Sequence, residues 1–485
     1  MQEPAGNTGA PTRRERDALG MRAVPAEVYW GVQTLRAVEN FQVSGVREPA
    51  ALVRAYLVLK KAAAYANMAL GEIDAELGWA IVKAADEGLE GRFDDQFVVD
   101  VFQAGAGTSF HMNVNEVLAN RALELLGREK GDYDYLSPND HVGRCQSTHD
   151  TFPTASHLAI ITEADRLLAV LDSLARAFSR KGEEFADVQK SGRTHLTDAL
   201  PLTLGAEFVA YATALRRAAW RVKERREDLR EVAIGGTANG TGANAHPEFR
   251  ETVLADLNRF TGLGLIPATD SFEALQSRAA MAAFSGALRE LALELIRIAN
   301  DLRLLGSGPT SGLAEITFPA VQSGSSTMNG KVNPVMAECL DMVGFQVVGN
   351  DTAVALAAQA GQVDLNVMTP VMTANILASL SLLTSFLPLF EEKCVAGIGA
   401  NRGQARALLM KNPALASLLS PQIGHLRAAN LAGEARRRGV AVPALAVEKG
   451  YLTEKEAAEL FDMERMARGL YARYPWTHQE REDEG

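Results

Sequence analysis

Between residues 288 and 305 the apolar residues Leu288, Leu291, Leu295, Ile298, Leu302 and Leu305 step alternately by three and four. That spacing keeps one stripe of a helix apolar along its whole length. It is the seam by which long helices pack side by side at a shallow crossing angle. Ile161, Ala164, Leu168, Leu171, Leu174 and Phe178 repeat the pattern on a segment that begins near Pro153. No strong strand-like alternation stands out, and Gly and Pro fall mostly between the periodic segments. The chain is therefore confined to an all-α architecture built on long, laterally packed helices.

Residues 1–14 hold Gly, Pro, Asn and Thr with little to bury, and read as a disordered tail. Helical spacing runs over 50–90, breaks at the glycines and hydroxyls of 102–109, and resumes over 112–126. Further breaks are expected at 191–201, 234–247, 262–270 and 306–333. After residue 400 the periodic segments shorten and Pro413, Pro421 and Pro443 punctuate them. The expected subunit has an N-terminal helical domain at 1–147 and a long-helix bundle at 148–403. A small helical domain follows at 404–485, with a charged, frayed end at 479–485.

Sixty acidic against 49 basic residues give a net charge of −11, which argues against nucleic acid as a partner. Cys145, Cys339 and Cys394 are widely spaced and form no CxxC or Cys/His metal pattern. A reducing compartment and no structural zinc are expected. The N-terminus has no apolar leader core. The apolar run at 375–390 contains Ser379, Ser381, Thr384, Ser385 and Pro388, and reads as a buried helix, not a membrane span. A soluble, cytoplasmic protein is expected. Nucleotide-binding glycine motifs, HExxH and GxSxG do not occur.

Four polar islands interrupt the helical scaffold, at 105–112, 146–150, 192–198 and 324–334. Loops held by rigid helices are where function tends to sit. The islands and their borders supply hydroxyls (Thr108, Ser109, Ser147, Thr148, Thr194, Ser325, Ser326) and amides (Asn113, Asn333). They also supply imidazoles (His149, His195) and one ammonium, Lys331. Hydroxyls and backbone N–H groups can grip a carboxylate, and Lys331 adds a point charge, so the set suits a small dicarboxylate. In the last island Gly324 and Gly330 let the backbone come close to a ligand. That island is equipped to hold an anion while a proton moves.

The stretch Gly324-Ser325-Ser326-Thr327-Met328-Asn329-Gly330-Lys331-Val332-Asn333-Pro334 resembles the signature loop of the aspartase/fumarase superfamily, with Asn329 where the family has proline. Gly192-Arg193-Thr194-His195-Leu196-Thr197-Asp198-Ala199, Ser147-Thr148-His149-Asp150 and the glycine-rich block 235–242 are similar to further blocks of that family. The resemblance covers roughly residues 14–470, and Leu35 draws it towards the aspartate ammonia-lyase branch. It implies an all-α homotetramer with active sites where three subunits meet, and no metal or organic cofactor.

The implied reaction is anti-elimination across the Cα–Cβ bond of a succinate-type substrate, giving fumarate. L-Aspartate losing ammonia is the first reading. A class II fumarate hydratase is the alternative, favoured by His195 and Glu338, and a lyase for another N-substituted aspartate is a third. A non-catalytic paralogue is the fourth, and retention of Ser325, Lys331, Asn333 and His195 argues against it.

The resemblance makes Ser325 the general base, with His195 and Lys331 in the catalytic set. Thr108, Ser147, Thr148 and Ser326 would hold the β-carboxylate, and Thr194, Lys331 and Asn333 the α-carboxylate. Ser109 and His149 complete the substrate-binding set. Phe110-His111 and His149 depart from the family, which has an asparagine where each histidine stands; the one at His149 contacts the leaving group in relatives.

Overall fold

The computed structural model describes residues 11–467. It opens on a hairpin, β1 (Thr12–Asp17) and β2 (Gly20–Pro25), and then becomes almost wholly helical. α1 (Val32–Asn40), α2 (Ala50–Ala69), α3 (Ala75–Leu89) and α4 (Thr108–Leu125) precede α5 (Thr148–Glu184). A second hairpin, β3 (Gln189–Thr194) and β4 (Thr197–Thr203), leads into α6 (Leu204–Asp228). Then come α7 (Phe249–Thr261), α8 (Ser271–Gln276), α9 (Ala279–Leu305), α10 (Val335–Gln359) and α11 (Thr369–Lys393), with shorter helices from Arg402 onwards. The all-α expectation holds: among the described residues every sheet is an isolated two-stranded pair.

The chain forms two compact units. One takes the described residues up to Ala169, with Ala218–Leu293 and Val343–Thr384; the other takes Val170–Arg217, Glu294–Met342 and the described residues from Ser385. The divisions fall inside α5, α6, α9, α10 and α11. Residues 409–463 hold a hydrophobic core of their own, including Leu415, Leu419, Leu445 and Phe461.

The seam of α9 is buried as its spacing requires: Leu288, Leu291, Leu295, Ile298 and Leu302 are at most 1% exposed. In α5 the stripe holds except at one step, where Leu167 is buried and Leu168 only half-buried. α5 starts at Thr148, so Pro153 lies inside it, not at its beginning. α11 has the length and apolarity of a membrane span. Its stripe Met372, Ile376, Leu380, Leu383, Leu387 and Phe390 is nonetheless buried within the protein.

Residues 12–14 are not tail. Arg13 donates to the carbonyl oxygens of Pro25 and Val28 (both 2.8 Å) and Trp30 (2.7 Å), and pairs with buried Glu15 at 2.7 Å. A guanidinium orders this hairpin, and a composition argument based on apolar burial does not register it. Residues 1–10 and 479–485, read from sequence as disordered or frayed, lie outside the described residues.

Leu295 sits wholly inside the α9 seam, so truncation leaves a cavity. Leu295→Ala should lower unfolding stability by about 2–5 kcal/mol in a denaturant titration.

Candidate active site

In the first unit, two helix beginnings meet. α4 starts at Thr108 and Ser109, capped by Gly107 at φ +84°. A Cβ on Gly107 would run into the Phe152 ring of α5, so glycine permits this approach. α5 is capped by Ser147: its Oγ accepts the His149 N–H (3.2 Å), and Asp150 reaches back to accept the Ser147 N–H (3.0 Å). Ser147 thus caps the second helical N–H, and Asp150 at N3 supplies the returning half of a capping box. Thr108, Ser109, Ser147 and Thr148 thus stand at the starts of helices of 18 and 37 residues. Unpaired N–H groups and the helix dipole favour an anion there.

His111 pins the two starts together. Its Nε2 lies 3.0 Å from the Asn115 amide nitrogen, which donates, so its Nδ1 carries the hydrogen. Nδ1–H donates to Thr151 Oγ1 (2.9 Å), which donates onward to the Ser147 carbonyl (2.8 Å). Burial, with Lys60 and His149 adding to it, holds this imidazole well below its ordinary pKa, hence neutral. His111 is 5% exposed. It is a structural link, not a surface for substrate.

Asp150, fully buried, does more than cap α5. Its Oδ2 accepts the N–H groups of Gly235 (3.0 Å) and Thr237 (2.9 Å). Both residues have positive φ, +87° and +53°. The carboxylate thus clamps the glycine-rich loop to the α5 start and sets the Ala238 carbonyl 2.7 Å from His149 Nδ1. Burial raises the Asp150 carboxyl to about 7, against its three backbone donors and Lys60. Burial likewise brings Lys60 down to about 7, with Asp150 opposing it. Lys60 Nζ donates to Gln146 Oε1 at 2.8 Å.

In the second unit the β3–β4 hairpin turns through His195 and Leu196, at φ +56° and +58°, between the paired Thr194 and Thr197. Two successive left-handed residues suit the right-handed twist of a hairpin. Thr194 and His195 are exposed at its tip. Behind them Arg193 grips both oxygens of fully buried Glu315 (2.8 and 2.9 Å). Lys190 lies between Glu315 (3.3 Å) and Glu207 (2.6 Å). Asn412 donates to Ser191 Oγ (3.1 Å) and the Ala199 carbonyl (2.7 Å), tying one strand to the other.

The 324–334 loop closes on itself in the same unit. Gly324 N–H donates to the Lys331 carbonyl (3.1 Å), and the Asn333 amide donates to the Gly324 carbonyl (2.7 Å). A Cβ on Gly324 would strike the Lys331 carbonyl. Ser325 Oγ accepts the N–H groups of Thr327 (3.2 Å) and Met328 (3.1 Å). Ser326 and Lys331 are exposed.

The structure therefore gathers Thr108, Ser109, Ser147, Thr148 and His149 in one unit, and Thr194, His195, Ser325, Ser326, Lys331 and Asn333 in the other. Among the described residues no hydrogen bond joins the hairpin tip to the 324–334 loop. The clamp made by Asp150 was not anticipated, although the Ser147-x-x-Asp150 spacing is the signature of a capping box. Glu315 had no local signal, because Arg193 meets it from 122 residues away.

Residues 20–349 match the Lyase family, and residues 415–468 match the Fumarase C C-terminus family. The chain belongs to the aspartase/fumarase superfamily. Within the superfamily it is 45% identical to an aspartate ammonia-lyase of Bacillus sp, over 93% of this chain and 96% of the relative. It is also 45% identical to a class II fumarate hydratase of Brucella suis biovar 1, over 94% of this chain and 99% of the relative. A solved structure of a fumarate lyase:delta crystallin from Brucella melitensis superposes with a TM-score of 0.91. The identity there is 47%, covering 94% of this chain and 100% of that one. This superfamily member is a lyase.

Asp150→Ala would leave two buried backbone N–H groups, of Gly235 and Thr237, and the part-buried one of Ser147 without this acceptor. It should cost about 3 kcal/mol or more of unfolding stability. Asp198→Ala, on an exposed residue beyond the hairpin tip, should stay within about 0.5 kcal/mol. Equal effects in parallel denaturant titrations would refute the clamp.

Proposed function

We propose that the protein is an aspartate ammonia-lyase that converts L-aspartate to fumarate and ammonia. The observation that supports this most is at Ser325, whose Oγ accepts two backbone N–H groups. A serine hydroxyl is too weak an acid to serve as a base unless its ionised form is favoured. N–H donors do that, because hydrogen bonds to the charged form lower a pKa. Lys331, in the same closed loop, adds positive charge.

The Cβ proton of aspartate is only weakly acidic, and its removal puts a second negative charge on the adjoining carboxylate. Preorganised donors aimed at that charge are worth about 3–4 kcal/mol each. Thr108, Ser147 and Thr148, at helix N-termini, together with Ser326, take the β-carboxylate where the enediolate develops. Thr194, Lys331 and Asn333 take the α-carboxylate. Ser325 removes the Cβ proton, and His195 belongs to the same catalytic set. The electron pair then forms the C=C bond as the Cα–N bond breaks, its electrons leaving with nitrogen as ammonia.

The second reading, fumarate hydration, is favoured by the equal identity to the Brucella suis hydratase. The proposed assembly is a cytoplasmic homotetramer whose sites draw on three subunits. In its support, α10 exposes a stripe at helical spacing in which Met342, Phe345 and Leu356 are 62%, 60% and 62% exposed. An apolar stripe of that kind suits burial against another helix. The three-domain reading, 1–147, 148–403 and 404–485, is supported at its C-terminal end by the separate core of 409–463.

Purified protein given L-aspartate should produce fumarate, read by absorbance, with stoichiometric ammonia. Fumarate from L-malate alone would transfer the assignment to the hydratase. Ser325→Ala should lower kcat ~100-fold or more while preserving assembly, as loss of an acid–base group does. A variant keeping about a tenth of the rate or more removes Ser325 from the role of base. Mixed and reassembled Ser325→Ala and Thr194→Ala proteins should recover part of the activity, whereas inert hybrids would count against shared sites.

A further inference from the structure

A third polar group stands beside Ser325 Oγ, in addition to the N–H groups of Thr327 (3.2 Å) and Met328 (3.1 Å) that it accepts. The hydroxyl of Thr327 lies 3.4 Å from it. Thr327 is therefore tethered by its own N–H to the atom that its side chain faces. Among the described residues Thr327 Oγ1 has no other hydrogen-bond partner, so both its hydrogen and its lone pairs are open to Ser325. Ser323 steadies the same turn, its Oγ donating to the Ser325 carbonyl at 3.2 Å. Lys331 is the one charged side chain from Gly324 to Pro334, and it is exposed. Water and salt screen such a charge, whereas a hydroxyl in direct contact is not screened.

A separation of 3.4 Å is long for two neutral hydroxyls. A hydroxyl bonded to an ionised oxygen comes closer, to about 2.5–2.7 Å, and binds roughly twice as strongly. The contact therefore gains most when Ser325 carries charge, and Thr327, being exposed, has room to close it. The pair also reverses with the proton. When Ser325 is neutral, its O–H points to Thr327 Oγ1, which accepts. When Ser325 is ionised, the Thr327 O–H turns and donates, joining the two N–H donors. Donors to the charged form favour it.

We infer that Thr327 is a positioning residue for the reaction, its hydroxyl donating to the ionised Ser325 and accepting from Ser325 once the Cβ proton has arrived. The electron pair of the Cβ–H bond stays with the substrate and the proton alone moves to Ser325 Oγ, so Thr327 neither gains nor loses a proton. The inference rests on the proposed role of Ser325 as the base. The test is kcat/KM against pH for the full-length protein, on whichever of L-aspartate and L-malate the wild type consumes. Thr327→Val keeps the shape and removes the hydroxyl. It should displace the rising limb of the profile by about one pH unit towards alkaline pH, since a hydrogen bond to a charged group is worth about tenfold or more. Thr327→Ser should return the limb to its wild-type position, and Thr327→Ala stands in if valine disturbs the loop. A folded variant without the hydroxyl whose limb coincides with that of the wild type overturns this inference alone. So does a Thr327→Ser protein displaced as far as the valine one. A wild type inert to both substrates, or a Ser325→Ala protein that keeps about a tenth of the rate or more, overturns the reading of Ser325 and this inference together.

Discussion

The carboxylate of Asp150 is wholly buried and accepts the N–H groups of Ser147, Gly235 and Thr237. Burying a charge is costly unless it is well hydrogen-bonded, so this geometry tolerates little slack. It closes the cap of α5, holds the glycine-rich loop against that cap, and orients His149 through Ala238. The candidate substrate residues of the first unit are arranged around these few bonds.

The second unit uses the same device. Glu315 is fully buried and is satisfied by Arg193 and Lys190, both on β3. Behind the hairpin Arg193, Lys190 and Asn412 are engaged; at its tip Thr194 and His195 are exposed. A scaffold of this kind lets hydroxyls and imidazoles act from fixed positions, because their supports are locked by hydrogen bonds within the chain. The 324–334 loop is held by short-range bonds of its own, from Gly324, Asn333 and the N–H groups that Ser325 accepts. Anchoring of that local kind suits a segment that closes over a ligand.

Superfamily membership leaves the leaving group open, since an aspartate ammonia-lyase and a class II fumarate hydratase are each 45% identical to this chain. Function lies in the site grafted on the fold. The two histidines that depart from the family are held differently. His111 is consumed by internal hydrogen bonds, whereas His149 keeps one nitrogen available.

The helical class, the buried seam of α9 and the four polar islands were legible in the sequence, because apolar spacing and glycine-rich breaks are local properties. So was the superfamily, through the loop around Ser325 and the blocks around Ser147 and His195. Three things were decided only by the tertiary structure. The hairpin containing Arg13 is ordered by carbonyl oxygens that follow it in the chain, and composition does not register such bonds. Lys190 and Arg193 became supports through Glu315, a partner with no local mark in sequence. The tautomer of His149 depends on a carbonyl 89 residues away. A sequence names the imidazole, but which nitrogen holds the hydrogen is set by what the fold places beside it.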